Sequence, residues 1–238
     1  MSPAAAGGGR QLAGDSTART VSDLFRLGPR RGDPPDAVSP PGETAPAADD
    51  GRVFASKVLP KFLASLGHHD SLSLLDLGPV VGSNITFFGE RLRCKIFVED
   101  LFAEIERSAR QNPAGDLAAF FAARFRGREH SVDGVLCWDV FDYLDWPAAR
   151  VLASCLAGMV RPGGAVLGFF GTAKVDQGHY TKYVIADDAH LRHRPYPATD
   201  TRTRVLLNRD IIRLFEGFEV RESVLLQINT REILFRKI

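Results

Sequence analysis

The chain has 238 residues, with 30 lysines and arginines against 29 aspartates and glutamates, so its formal net charge is +1. This length predicts one domain, or one domain with a tail. The near-neutral charge argues against a general nucleic-acid binder, which needs a concentrated positive field. The sequence also lacks a membrane-length apolar run and a recognisable secretory signal. Its three separated cysteines are typical of reduced thiols, so we expect a cytoplasmic protein without a membrane or nucleic-acid partner.

Residues 1–50 differ in composition from the rest of the chain. Half of the 14 prolines lie there, together with runs of alanine and glycine. Such a segment buries too little apolar surface to offset the entropy of ordering it. We therefore predict a disordered tail at 1–50 and a single domain at 51–238. Residues 22–28 are a candidate short helix that docks on a protein partner or on the domain, and a transient turn is the alternative.

The domain begins with a helical pattern and continues with buried strands. Apolar residues recur at helical spacing from Val53 to Leu66, where Gly67 is a plausible stop, and Pro60 marks either a kink or the first turn. Four apolar runs follow, each with a loop and a helix-like stretch after it. They are 72–77, 94–98, 132–137 and 165–170. This alternation is typical of a parallel sheet covered on both faces.

The second half of the chain has clearer element boundaries. Asp145, before Trp146 and Pro147, predicts a helix start. The sequence Pro-Gly-Gly at 162–164 predicts a tight turn after this helix, and Asn208 is a candidate cap for a later one. The last two apolar runs, at 218–227 and 231–236, are joined by three residues, a connection that only antiparallel strands allow. The fold class is therefore α/β, with a mostly parallel sheet and a C-terminal antiparallel hairpin.

The strongest local feature is a glycine turn after the first apolar run. Asp76 ends that run, Gly78 follows it, and Gly82 stands where a helix begins. Ligands of open α/β sheets bind at the carboxyl ends of strands, where glycine lets the backbone come close. Glu99 lies 99 − 76 = 23 positions further on, which suits an acid that binds ribose hydroxyls. Alternatively, Asp76 only holds the turn, and Glu99 and its neighbour Asp100 are solvated charges.

These residues resemble the class I S-adenosylmethionine-dependent methyltransferases over about 52–238. The resemblance includes the turn at 75–82, the acid Glu99, the strand at 133–140 and the sequence Arg-Pro-Gly-Gly at 161–164. It implies a Rossmann-like fold with a seven-stranded sheet, and S-adenosylmethionine as cofactor. The implied cofactor-binding residues are Asp76, Gly78, Gly82, Glu99, Asp100, Cys137 and Trp138.

The resemblance also assigns places to these residues. Asp76 and Gly78 would lie near the amino-acid end of the cofactor and Glu99 at its ribose. Cys137, Trp138 and Asp139 would line the cofactor and substrate pocket. Core packing is the alternative for Trp138.

The sequence departs from the family pattern in two places. Val80 stands where the family's turn has its middle glycine, and residues 101–131 read as helix where a third strand is expected. Within that stretch Asp116 is a candidate for the adenine-contacting acid, with a helix cap as the alternative. These departures favour the second hypothesis given below, a methyltransferase-like fold without the cofactor.

The insertion at 171–206 is longer than a simple connection needs. It follows the run at 165–170, so we predict a lid over the carboxyl edge of the sheet, with a hairpin through 183–186 and 190–193. A surface hairpin far from the site is the alternative. Asp139, His179 and Tyr180 are candidate catalytic bases on position alone. The acids and histidines of the insertion match no strong ligand spacing, so no metal is predicted.

The first functional hypothesis is S-adenosylmethionine-dependent methyl transfer to an unidentified acceptor. The near-neutral charge favours a small molecule or a protein side chain as that acceptor. The second hypothesis is a catalytically inactive methyltransferase-like binding or scaffold protein. A nicotinamide-dependent dehydrogenase shares the glycine turn and the ribose acid, but the sequence lacks the GxGxxG spacing of that class.

Overall fold

The computed structural model describes residues 51–67, 71–111, 116–173, 179–198 and 205–238. The predicted tail at 1–50, with the candidate helix at 22–28, lies outside the described residues. The strands are β1 (Val53–Ala55), β2 (Ser73–Asp76), β3 (Lys95–Val98), β4 (Val132–Trp138), β5 (Val160–Gly171), β6 (His179–Ile185), β7 (His190–Pro197), β8 (Phe218–Leu225) and β9 (Thr230–Lys237). The helices are α1 (Leu59–Ser65), α2 (Gly82–Leu92), α3 (Leu101–Gln111), α4 (Leu117–Arg124), α5 (Trp146–Met159) and α6 (Asn208–Leu214), with a 3₁₀ turn at Val140–Tyr143.

The central sheet has the strand order β3-β2-β4-β5-β9-β8. Strands β3, β2, β4 and β5 are parallel, and β9 runs antiparallel to both of its neighbours. The α/β, Rossmann-like fold with a C-terminal antiparallel hairpin is therefore confirmed. The resemblance implied seven strands, whereas this sheet has six, because the described residues between β3 and β4 form the helices α3 and α4.

A second sheet of three strands, in the order β1-β7-β6, contains most of the predicted insertion. The predicted hairpin is confirmed, since β6 and β7 pair antiparallel with Tyr183 opposite His193. The helix predicted from Val53 is wrong at its start. Residues 53–55 form β1 instead, because Val53 pairs with Arg192 of β7 and the Phe54 ring packs on His193 at 4.2 Å. The helix α1 begins at Leu59, with Pro60 in its first turn.

Both faces of the central sheet are buried, as the continuous apolar runs predict. Leu74 and Leu75 are adjacent in β2, and both are fully buried, in different cores. Leu75 belongs to the core formed with α3, α4 and α5, and Leu74 to the core formed with α1, α2 and the three-stranded sheet. The smaller sheet is thus part of the covering of one face.

Two of the three residues that the sequence suggests as helix caps have this role in the structure, and one does not. Asp145 accepts a hydrogen bond from the Ala148 backbone at 2.8 Å, and Asp116 accepts one from Ala119 at 3.0 Å. Asp116 is therefore a helix cap. The cap predicted at Asn208 is wrong, because the chain is still extended at the preceding residue and Asn208 is already the first helical residue. Among the described helices, none combines the length and apolar character needed to cross a membrane.

Candidate cofactor cleft

The site predicted from the sequence lies where the order of the central sheet reverses. The chain leaves β2 to form β3 on one side and β4 on the other. Asp76, the last residue of β2, pairs with Val98 in β3 and with Leu136 in β4. The carboxyl ends of these three strands therefore bring Asp76, Glu99 and Trp138 to one edge. In open α/β sheets this reversal point is where ligands bind.

Asp76 holds the glycine turn from inside. Its side chain is 4% exposed, and its Oδ1 accepts hydrogen bonds from the Gly78 backbone at 2.9 Å and from Trp138 Nε1 at 2.6 Å. Burial raises the pKa of Asp76 to about 6, although both hydrogen bonds act in the opposite direction. The structure thus shows the turn-holding role for Asp76, and its contact with a cofactor stays a prediction.

The raised pKa of Asp76 predicts a pH-dependent stability. The ordinary value is 3.8 and the folded value about 6, so between them the folded chain binds more protons than the unfolded chain. The stabilisation of the folded chain by protonated Asp76 is complete below about pH 4 and is lost as pH rises through 6. Its size is about 3 kcal/mol, from about two pKa units.

Urea unfolding of the wild type and of Asp76→Asn at about pH 4 and pH 7 measures this contribution. The asparagine retains an oxygen acceptor but does not titrate. We expect the stability of the wild type relative to the variant to fall by about 3 kcal/mol from the lower to the higher pH. A difference that is equal at both pH values would contradict the prediction.

Trp138 fills the space beside the glycine turn. Its side chain is 2% exposed and nearly parallel to Tyr183, with ring centroids 5.1 Å apart, and to Phe169, at 5.9 Å. A Cβ placed on Gly78 would lie 2.5 Å from Trp138 Cδ1. The backbone of Trp138 has a φ of 49°, in the left-handed region that is uncommon for a bulky residue. The indole is therefore packed directly on Gly78.

Asn84, near the start of α2, ties this helix to β6. Its Nδ2 donates to the Tyr183 carbonyl and its Oδ1 accepts from the Ile185 backbone, both at 2.8 Å. The side chain is 2% exposed. Strand β6 thus lies over the cleft, with Tyr183 stacked on Trp138. This contact was not predictable from the sequence, because nothing distinguishes Asn84 from an ordinary polar residue in the first turn of a helix.

Glu99 follows β3 at the predicted place, and its carboxylate is neutralised by two arginines. Arg124 donates to Oε2 from Nε at 2.9 Å and from Nη2 at 2.6 Å, and Arg128 donates to Oε1 from Nη1 at 2.8 Å. Glu99 is 5% exposed. Its role at a ribose stays a prediction. The two arginines were missed, although their spacing of four residues near a helix end is a signal for a shared face.

The other predicted cofactor residues lie around this centre. Asp100 caps α3 by accepting from the Ala103 backbone at 3.0 Å, and burial raises its pKa. Gly82 is the first residue of α2, and a Cβ there would meet nothing within 4 Å. Cys137 is fully buried in the core opposite to that of Trp138, and burial raises the pKa of its thiol.

Val80, at the family's middle glycine position, lies at the surface of the turn. Its side chain is 57% exposed. The glycine that is in close contact with another side chain is Gly78, whose neighbour is Trp138 at the end of β4.

Two of the three catalytic candidates lie in an aromatic and acidic group beside the cleft. Tyr180 donates from its hydroxyl to Glu106 Oε2 at 3.1 Å, and its ring contacts Tyr143 at 4.9 Å and Tyr196 at 5.5 Å. Asp139 is fully buried. Burial is the largest cause that raises the pKa of Tyr196, and the negative charges of Asp100 and Asp139 raise it further.

The third candidate, His179, is the first residue of β6 and is half-buried. Asp139 and Tyr180 are thus both related to Tyr196, the first through its charge and the second through its ring, and all three catalytic roles stay predictions. In the described part of the chain, His, Cys, Asp and Glu side chains form no group of three able to hold a metal ion.

Comparison with known proteins gives structural likeness only. No family model and no curated protein matches the chain. A Burkholderia thailandensis 1,6-didemethyltoxoflavin-N1-methyltransferase with bound S-adenosylhomocysteine is similar at 14% identity and a TM-score of 0.45, over 76% of this chain and 77% of that one. A Clostridium acetobutylicum S-adenosylmethionine-dependent methyltransferase is similar at 14% identity and a TM-score of 0.44, over 76% and 91%.

A glycopeptide N-methyltransferase in complex with S-adenosylmethionine is similar at 15% identity and a TM-score of 0.40, over 83% of this chain and 100% of that one. All three of these similar structures are methyltransferases by name. At such identities the likeness concerns the fold, and the ligands named belong to those proteins. The fold of this chain rests on its own strand order.

The residues at the cleft do not fit S-adenosylmethionine in the described conformation. Trp138 lies against Gly78, where the backbone would have to meet the cofactor. Both carboxylate oxygens of Glu99 are in ion pairs. Binding of the cofactor at the predicted residues would therefore need the indole to move and the Glu99 hydrogen bonds to be shared or exchanged.

Proposed function

We propose that this chain binds S-adenosylmethionine at the carboxyl edge of the central sheet and transfers its methyl group to a small-molecule acceptor. The observation that carries the proposal is the convergence of Asp76, Gly78 and Glu99 at the point where the strand order reverses. An acid, a glycine turn and a second acid from adjacent parallel strands suit an adenosyl ligand. The antiparallel β9 between β5 and β8 supports the same class.

Methyl transfer does not depend on one particular catalytic side chain. The protein mainly aligns the acceptor and excludes water, and buried aromatic rings at the cleft serve exclusion. Where the acceptor must lose a proton, Asp139 directly follows Trp138 and is not one of the predicted cofactor-binding acids, and Tyr180 and His179 are the alternatives on β6. We propose Asp139 for this role, because it follows β4 directly and is fully buried.

A second candidate function is a non-catalytic binding or scaffold protein with a methyltransferase-like fold. The closed cleft favours it specifically. Trp138 supplies Asp76 with a hydrogen bond that a ligand would otherwise make, and Arg124 and Arg128 do the same for Glu99. A chain that has lost its cofactor is expected to fill the vacated space with its own side chains, since empty space in a core destabilises it.

Calorimetry with S-adenosylhomocysteine separates the two candidates. If the chain is a methyltransferase, we expect measurable binding to the wild type and binding at least about tenfold weaker for Glu99→Ala, which removes the proposed ribose contact. Glu129→Ala, a nearby exposed acid, is the matched control and should bind as the wild type does. The absence of heat at high micromolar ligand would reject methyl transfer and favour the scaffold. Unchanged binding by Glu99→Ala would reject the ribose assignment alone.

A further inference from the structure

The cleft is closed by a connected set of contacts that begins at Trp138. The indole is buried in a group of three nearly parallel rings with Tyr183 and Phe169, which also stack on each other at 4.9 Å. It donates to Asp76 and lies on Gly78. It therefore occupies the backbone approach that an adenosyl ligand needs at a glycine turn. Removing the indole from this place breaks one buried hydrogen bond and two contacts with nearly parallel rings.

Asn84 holds the upper side of the cleft in place. Its side-chain amide donates to the Tyr183 carbonyl and accepts from the Ile185 N–H, the two bonds that a neighbouring strand would make with β6. Buried and doubly bonded, this amide holds the backbone of β6 at Tyr183, whose ring packs on Trp138. Asn84 thus ties the glycine-turn helix to the strand that carries the ring packed on the indole.

We infer that Trp138 and Asn84 set the affinity of this chain for its adenosyl cofactor by keeping the cleft closed in the free protein. The inference rests on the proposed function. If a ligand binds only the open form, its apparent dissociation constant equals the dissociation constant of the open form divided by the fraction of molecules that are open. Trp138 acts by occupying the space itself. Asn84 is a positioning residue that acts through Tyr183.

Changing either residue should therefore tighten binding instead of weakening it. Calorimetry with S-adenosylhomocysteine on the full chain is expected to give at least about tenfold higher affinity for Trp138→Ala and for Asn84→Ala than for the wild type. Asn84→Asp retains the acceptor for Ile185 but loses the donor to Tyr183. Its affinity should therefore lie between that of the wild type and that of Asn84→Ala. Trp146→Ala and Asn208→Ala, the same changes outside the cleft, should bind as the wild type does.

The movement of the indole has its own signature. The chain has two tryptophans, so Trp146→Phe leaves Trp138 as the only tryptophan, whose emission can be excited selectively over that of the tyrosines. Saturation with S-adenosylhomocysteine should shift its emission to longer wavelength as the indole leaves its buried stack. This measurement also serves if Trp138→Ala does not fold.

The outcomes distinguish this inference from the proposed function. Tighter binding by Trp138→Ala or Asn84→Ala supports the inference, and if the wild type then shows no binding, the proposed function alone fails. Binding by the wild type that both variants leave unchanged or weaken, with no shift of Trp138 emission, overturns the inference and leaves the proposed function standing. No binding by any of these proteins overturns both.

Discussion

Arg124→Ala is expected to lower the free energy of unfolding by about 3 kcal/mol. Glu99 is 5% exposed, and Arg124 supplies two of its three side-chain hydrogen bonds among the described residues. The variant leaves Oε2 of this carboxylate buried without its cation, which costs more than the intact pair contributes. Urea unfolding of the two proteins at neutral pH measures the difference.

Arg126→Ala is the matched control for this change. Arg126 lies between the two paired arginines and is exposed, so its loss should alter stability by less than about 0.5 kcal/mol. In the Glu99→Gln background, Arg124→Ala should cost less than in the wild type, because the buried charge is gone. An equal cost in both backgrounds would show that Arg124 stabilises the fold by packing and that the ion pair contributes nothing.

The parallel part of the fold was predictable because its strands are buried on both faces. The runs at 72–77 and 132–137 are mostly apolar, and β2 and β4 are buried at every position. Local patterns were insufficient where distant partners decide the structure. Residues 53–55 carry a helical pattern but pair with β7, which is remote in sequence. The turn predicted at 162–164 is a bulge inside β5, where the register with β4 shifts.

The backbone positions of the site were also predictable, whereas its side-chain contacts were not. Asp76 and Glu99 lie where they were predicted, because strand ends fix them. Whether Trp138 points into the core or into the cleft depends on a left-handed backbone conformation and on rings from β5 and β6. Contacts between residues distant in sequence determine such side-chain orientations, and hydrophobic periodicity does not report on those contacts.

Trp138→Ala is expected to lower the free energy of unfolding by about 3–5 kcal/mol, the usual cost of removing a large buried aromatic side chain. The indole is 2% exposed, stacks on Tyr183 and Phe169, and donates to Asp76. Urea unfolding without ligand measures this loss. Trp146→Ala, at the half-buried start of α5, is the control and should cost clearly less. A loss below about 1 kcal/mol for Trp138→Ala would show that the stack does not stabilise the fold.

The same variant tests whether stability and ligand access oppose each other in this cleft. A ligand that binds only the folded chain stabilises it by about 2.7 kcal/mol at a hundredfold excess over its dissociation constant. If the indole competes with the cofactor, a given concentration of S-adenosylhomocysteine should stabilise Trp138→Ala more than the wild type, and so restore part of the loss. Equal stabilisation of both proteins would mean that the space on Gly78 is not where the ligand binds. The indole would then belong to the core, and the buried pair of Asp76 and Trp138 would be a structural contact with no bearing on access.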